Sequence, residues 1–236
     1  MPQPVLSELA TRADGNPYFL EEMVKGLVKG GVKEGECSTE ELLESLRLQM
    51  PESLRSTLQA RLDALPREAR AVALLASVVG RVFWVGAVIA AARITTSTGT
   101  GPLMAMPMTV IDRIVQDGLR RLVMAELAFP RANTRYSSGQ EYIFKNSLLR
   151  DVAYGLIPNK YVKQYHLAVA HWLAERNDPD FKVMAAEHFE QAGALVEASS
   201  QYEQAAGAAQ LRGATSEAKD LWSRVISMHE KADNLA

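Results

Sequence analysis

The sequence predicts a mainly α-helical protein with one small β-hairpin between its helices and an antiparallel helical region at its end. Three observations lead to that class. Apolar residues recur at helical spacing through most of the chain. Two short runs, 126–129 and 141–144, read as strands around a polar segment that holds Asn133 and Ser138-Gly139. From Phe181 onward the chain becomes Ala-rich, with aromatic residues at intervals.

The elements follow in order. Asp14-Gly15-Asn16-Pro17 is a turn feeding a helix: Gly15 supplies backbone freedom, Asn16 suits the N-cap, and Pro17 suits the first helical position. Phe19, Leu20, Met23, Val24 and Leu27 then form an apolar stripe to about Lys29, and Gly30-Gly31 stops it. Ser38 and Glu41 make a capping box for a short helix to about Leu48. Pro51 and Pro66 mark two further helix starts, the first with Leu54, Leu58 and Leu62, the second running to Gly80 with Ala69, Val72, Leu75, Ala76 and Val79 on one face. A short apolar helix covers 86–92, and 95–108 reads as a long Thr-, Gly-, Ser-, Pro- and Met-rich loop.

The helix at 110–124 has the clearest pattern. Ile111, Ile114, Val115, Leu119, Leu122 and Val123 line one face, and Asp112, Arg113, Asp117, Arg120 and Arg121 the other. The hairpin follows, then a helix at 147–157. Helices flanking one small hairpin in this order describe a winged helix.

Beyond Phe181, Ala186, Phe189, Ala198, Tyr202 and Ala205 hold the small and aromatic spacing of one tetratricopeptide repeat, with Gly193 at its turn. The proline usual near the end of such a repeat is absent, and Gln210 stands there. Ala218, Trp222 and Val225 carry the pattern into a further helix at 215–228. Small residues let helices approach while aromatics fill the gaps. Phe189, Tyr202 and Trp222 are therefore expected to build the stack.

A chain of 236 residues can bury one large core or two to three small ones. Its 47% apolar and 23% charged residues are ordinary for a globular protein, and a net charge of −2 offers no basic field for nucleic acid or anionic lipid. The single Cys37 cannot form an internal disulfide, in keeping with a cytoplasmic location. No apolar run of about 18 residues is present, so no membrane span is expected, and the polar N-terminus lacks a signal-peptide pattern.

Catalytic signals are missing. There is no G-x-x-x-x-G-K-[ST]; the Gly-rich stretch 97–101 has no following Lys and opens onto Pro102. His166 and His171 are five apart and diverge on a helix, and His188 and His229 stand alone, so packed or surface histidines are expected rather than a metal site. Ser147, Ser199 and Ser200 lack a nucleophile elbow. Asp151 and Glu187 have no recognisable acid/base partner, and Met104, Met106 and Met108 read as loop filler.

Gly15-Asn16-Pro17-Tyr18-Phe19-Leu20-Glu21-Glu22 resembles the Gly-x-Pro segment in the helical lid of the STAND class of AAA-type signalling ATPases. The resemblance extends from Met50 through Glu175, which is similar to the winged-helix segment of multidomain regulators of that class. Its carriers are Pro51-Glu52-Ser53-Leu54-Arg55, Arg61 to Pro66, Val79 to Trp84, Phe144 to Tyr154 and Tyr165 to Ala170. The family usually has His where Lys145 stands and often Arg near Lys163, departures that touch packing and surface detail.

The resemblance implies three parts: a lid-like segment at 1–49, a winged helix at 50–159 and a tetratricopeptide-like region at 160–236. It implies a non-catalytic regulatory piece with no cofactor of its own, ATP or ADP belonging to an ATPase core in cis. Gly15, Asn16 and Pro17 would contact nucleotide only together with that core, Pro17 against the base. Partners would be that core and a protein or small effector on the helical repeats, while exposed repeat ends favour self-association. The rival expectation is a DNA-binding winged-helix transcriptional regulator. Asp112 and Asp117 interrupt the basic residues of its reading helix, and the hairpin tip offers only Arg131 and Arg135, which argues against DNA.

Overall fold

The computed structural model describes residues 2–13, 52–97, 107–132, 139–176 and 178–233, together with residues 17, 20, 23, 24 and 103. Among them are ten α-helices and one three-stranded antiparallel sheet, so the protein is mainly α with a small β element. In chain order these are α1 (Gln3–Ala13), α2 (Glu52–Asp63), α3 (Arg67–Val79), β1 (Val82–Trp84), α4 (Val85–Ser97) and α5 (Ile111–Met124). Then come β2 (Ala128–Arg131), β3 (Glu141–Phe144), α6 (Ser147–Gly155), α7 (Asn159–Ala174), α8 (Pro179–Ala192), α9 (Leu195–Leu211) and α10 (Thr215–Asp233).

Helix α3 is the hub. Ten of its residues are buried, and it packs against α4, α5, α6 and α7. Gly118 of α5 makes one of these contacts possible: a Cβ there would lie 2.6 Å from Cγ2 of Val72. Gly80 closes α3 at φ 145°, a conformation open to glycine. Pro66 sits at the N-cap in extended backbone, one residue before its expected first-turn place.

The sheet order is β1-β3-β2, with Phe83 opposite Tyr142 and Arg131 opposite Glu141. Phe83, Tyr142 and Phe144 stack on the sheet's inner face. Strand β1 is absent from the sequence reading because three residues give no alternation to detect; its pairing with β3 creates it. The 141–144 strand stands as expected, whereas its partner runs at 128–131 rather than 126–129. Glu126 takes φ 53° in the connecting turn, which pushes the strand two residues on.

The 86–92 helix in fact spans Val85–Ser97, which corrects the loop expected from residue 95. Thr95 is fully buried and its hydroxyl donates to the Ala92 carbonyl at 2.7 Å, so a residue typical of loops is satisfied within the helix. Helix α1, unpredicted, buries Val5, Leu9 and Ala13 at four-residue spacing and packs on α6. Residues 17, 20, 23 and 24 are helical, with Met23 buried and Leu20 exposed. The rest of the 17–29 helix, the Ser38 capping box, most of the Met-containing loop and the hairpin tip lie outside the described residues.

Helices α7 to α10 run as successive antiparallel neighbours. Asp178 caps α8 by accepting from the Asp180 amide at 2.9 Å, with Pro179 at the first position. Gly193 ends it in the left-handed conformation at φ 81°. Helix α7 packs on one side against α3 and α4 and on the other against α8, and one hydrophobic core runs from Val5 to Met228. Gly86 lets α4 and α7 approach, since a Cβ there would lie 2.7 Å from the Trp172 ring.

Candidate functional site

A polar cavity of about 480 Å³ lies where α3 and α6 meet α7, α8 and α10. Its apolar wall is Val78 and Val79, at the end of α3. The facing wall is polar and comes from four helices.

Helix α6 supplies Arg150 and Tyr154. Asn146 starts this helix by accepting from the Leu149 amide at 2.8 Å, which places both residues on the side turned to α3 and α7. The Arg150 Nε donates to the Ser77 carbonyl at 2.8 Å and its Nη1 to Asp151 at 3.1 Å, while the guanidinium lies 4.9 Å from the Tyr154 ring centroid.

His166 of α7 and His188 of α8 fill the centre. The Tyr154 hydroxyl is 2.8 Å from His166 Nε2, and His166 Nδ1 is 2.7 Å from His188 Nδ1. One assignment of protons satisfies all three groups. The hydroxyl donates to Nε2 of His166, whose Nδ1–H donates to Nδ1 of His188, leaving His188 Nε2 as a donor. Burial pushes the His166 pKa down to about 4, and Arg150 adds to the effect. Burial and the neighbouring His166 push His188 down to about 3, against a hydrogen bond to the Val79 backbone. Both rings are therefore neutral near pH 7. With its nitrogens engaged, the pair offers no free lone pair for a general base.

The remaining charges are set apart from Arg150. Glu187 and Glu190 of α8 act on Arg224 of α10, whose Nη1 donates to the Tyr202 hydroxyl at 3.1 Å. Lys231 pairs with Glu190 at 2.7 Å, while Glu187 makes no hydrogen bond or ion pair with the described residues. Arg150 thus lines one part of the cavity, and Glu187, Glu190 and Arg224 line another.

No family model, curated protein or solved structure matches the chain.

Of the residues singled out from the sequence, Gly15 and Asn16 lie outside the described residues, and Pro17 is an exposed helical residue. Ala186, Phe189, Ala198, Tyr202, Ala205 and Ala218 are all buried in one cluster. Trp222 requires correction: it is 41% exposed, and Leu221, Val225 and Met228 face the core instead. From Ala218 the inward face of α10 advances by three, four and three residues, and a four-residue step to Trp222 leaves that face.

His188 and His229 also require correction, because neither stands alone. His229 Nε2 is 2.8 Å from Ser199 Oγ and 3.5 Å from Glu203. This trio is no hydrolytic triad, since the carboxylate faces the same ring nitrogen as the hydroxyl and cannot orient the other. Among the described residues no group of three or more His, Cys, Asp or Glu could hold a metal ion, and no helix is long and apolar enough to cross a membrane.

Spacing along a single helix does not reveal the histidine pair, because its members lie on two helices. His166 stands eight residues before the end of α7 and His188 nine residues after the start of α8. An antiparallel hairpin brings such residues together. Tyr202 and Arg224 flank Gly213 in the same way.

Proposed function

We propose that this chain is a non-catalytic regulatory and interaction module of a STAND-type signalling ATPase, coupling the nucleotide state of an ATPase core in cis to a protein or effector on its helical hairpins. Several features support the reading. The order α3-β1-α4-α5-β2-β3, with the sheet ordered β1-β3-β2, suits a winged helix. The antiparallel helices α8 to α10, with small and aromatic residues between them, suit the start of a tetratricopeptide-like array. In this reading the protein is cytoplasmic, ATP or ADP belongs to the core, and Gly15, Asn16 and Pro17 form its edge.

The observation that carries the reading is a clamp. Arg150 of α6 holds the Ser77 carbonyl of α3, and Tyr154, one turn on, holds His166 of α7. A displacement of the winged-helix part is thereby transmitted to the helical array.

The rival reading, a DNA-binding regulator, would present α5 to the major groove. Its Arg113 and Arg120 both pair with Asp117, and Asp112 is held by Arg93 at 3.0 Å. Internal pairing lowers the charge available to phosphates. A mobility-shift titration of the purified chain with duplex DNA at low salt tests this. No shift, together with no ATP turnover, is expected. Duplex affinity abolished by Arg120→Glu/Arg121→Glu would replace the interaction module with the DNA reading.

A further inference from the structure

We propose that the cavity between α6, α7, α8 and α10 binds a small zwitterion of amino-acid or dipeptide size, its carboxylate on the Arg150 guanidinium and its ammonium on the Glu187 carboxylate. The proposal goes beyond the coupling role and holds whether or not an ATPase core is attached.

The first argument is uncommitted hydrogen-bonding capacity. Arg150 uses Nε on Ser77 and Nη1 on Asp151, and Nη2 makes no further bond among the described residues. A guanidinium fixed at two nitrogens, with the third turned free, is a preorganised carboxylate receptor. At the other end, Glu187 is an exposed carboxylate without an ion pair among the described residues. Glu190 beside it is already neutralised by Lys231.

The second argument is charge placement. Arg150 stands with two neutral imidazoles and shares its charge with Asp151, which lies outside the lining, while Arg224 lies with Glu187 and Glu190. A simple anion would satisfy Arg150 while meeting Glu187 at the far end. A simple cation would satisfy Glu187 and meet Arg150. A ligand with separated opposite charges suits Arg150 and Glu187 together. Val78 and Val79 supply an apolar wall between them for the ligand's carbon skeleton. A volume near 480 Å³ falls within the range of small-molecule sites, roughly 300–1,000 Å³.

Isothermal titration of the full chain with a panel of free L-amino acids and glycine-containing dipeptides tests this. Each is also used as its N-acetyl and its C-terminal amide derivative. At least one parent zwitterion is expected to bind, and each blocked form about tenfold or more weakly. Glu187→Gln should weaken the parent by a similar factor and leave the N-acetyl form unchanged. Arg150→Gln should weaken the parent and leave the amide unchanged. Because Arg150 also ties α6 to α3, the exposed Glu187 variant keeps the test valid should the Arg150 variant fold poorly. Failure of every parent zwitterion to bind would overturn the proposal. So would equal binding of either blocked form.

Discussion

His166 and His188 face one another Nδ1 to Nδ1 at 2.7 Å, a contact that accepts one proton between two nitrogens but not two. The consequence is a built-in acid sensitivity. Their folded pKa values, about 4 and about 3, lie below the ordinary histidine value of 6.5, so the unfolded chain binds their protons more tightly. Their contribution to stability is complete above 6.5 and is lost as the pH falls toward the folded values. The charged groups facing the pair are Arg150 from α6 and Glu187, Glu190 and Arg224 from α8 and α10; Arg150 opposes protonation of both rings. Urea unfolding between about pH 7 and pH 5 should show stability falling with acidification. His166→Gln/His188→Gln should flatten that slope, and an unchanged slope would contradict the assignment.

Gly118→Ala tests the close approach of α5 to α3. The new methyl would lie 2.6 Å from Cγ2 and 2.9 Å from Cβ of Val72, and a Cβ cannot swing aside. Overpacking costs about 1–3 kcal/mol, more than the helix-propensity gain of about 1 kcal/mol. Gly207 of α9 is the control, since nothing lies within 4 Å of its would-be Cβ. Gly207→Ala should stabilise by about 0.5–1 kcal/mol. Denaturant midpoints moving in opposite directions for the two variants are the expected result.

Much of this architecture is legible in the sequence, for identifiable reasons. Pro66, Gly80 and Gly193 punctuate helices because they restrict or free the backbone locally. The face of α5 is readable because its apolar and charged residues separate cleanly. What escaped depends on partners far along the chain: β1 exists through β3, and α4 continues because Thr95 finds a carbonyl in a buried setting. The candidate site was illegible for the same reason. Arg150, His166, His188 and Arg224 lie on four helices, and the packing of those helices brings them together.

Arg131 and Glu141 form a cross-strand ion pair in which the glutamate is 2% exposed. Arg131→Ala would leave that carboxylate buried and unpaired, at a cost of about 1–3 kcal/mol. Arg131→Ala/Glu141→Leu should recover most of the loss, because removing both partners spares the desolvation penalty. Urea midpoints of the single and double variants measure the difference.

Tyr202 and Trp222 should behave differently despite their similar expected roles. Tyr202 is fully buried, and Tyr202→Ala should cost about 3–5 kcal/mol, the range for large aromatic truncations. Trp222 is 41% exposed, and Trp222→Ala should cost about 1 kcal/mol or less. Thermal melts of the two variants give the comparison. Equal losses would mean that Trp222 is covered in solution by another surface, such as a second copy of the chain.

Whether this chain serves an ATPase core in cis is decided by sequencing the full transcript through the codon for Met1. A continuous upstream reading frame encoding G-x-x-x-x-G-K-[ST] after a strand and before a helix is expected. A frame that opens at Met1, with an in-frame stop codon before it, would rule out an ATPase core in cis on the N-terminal side.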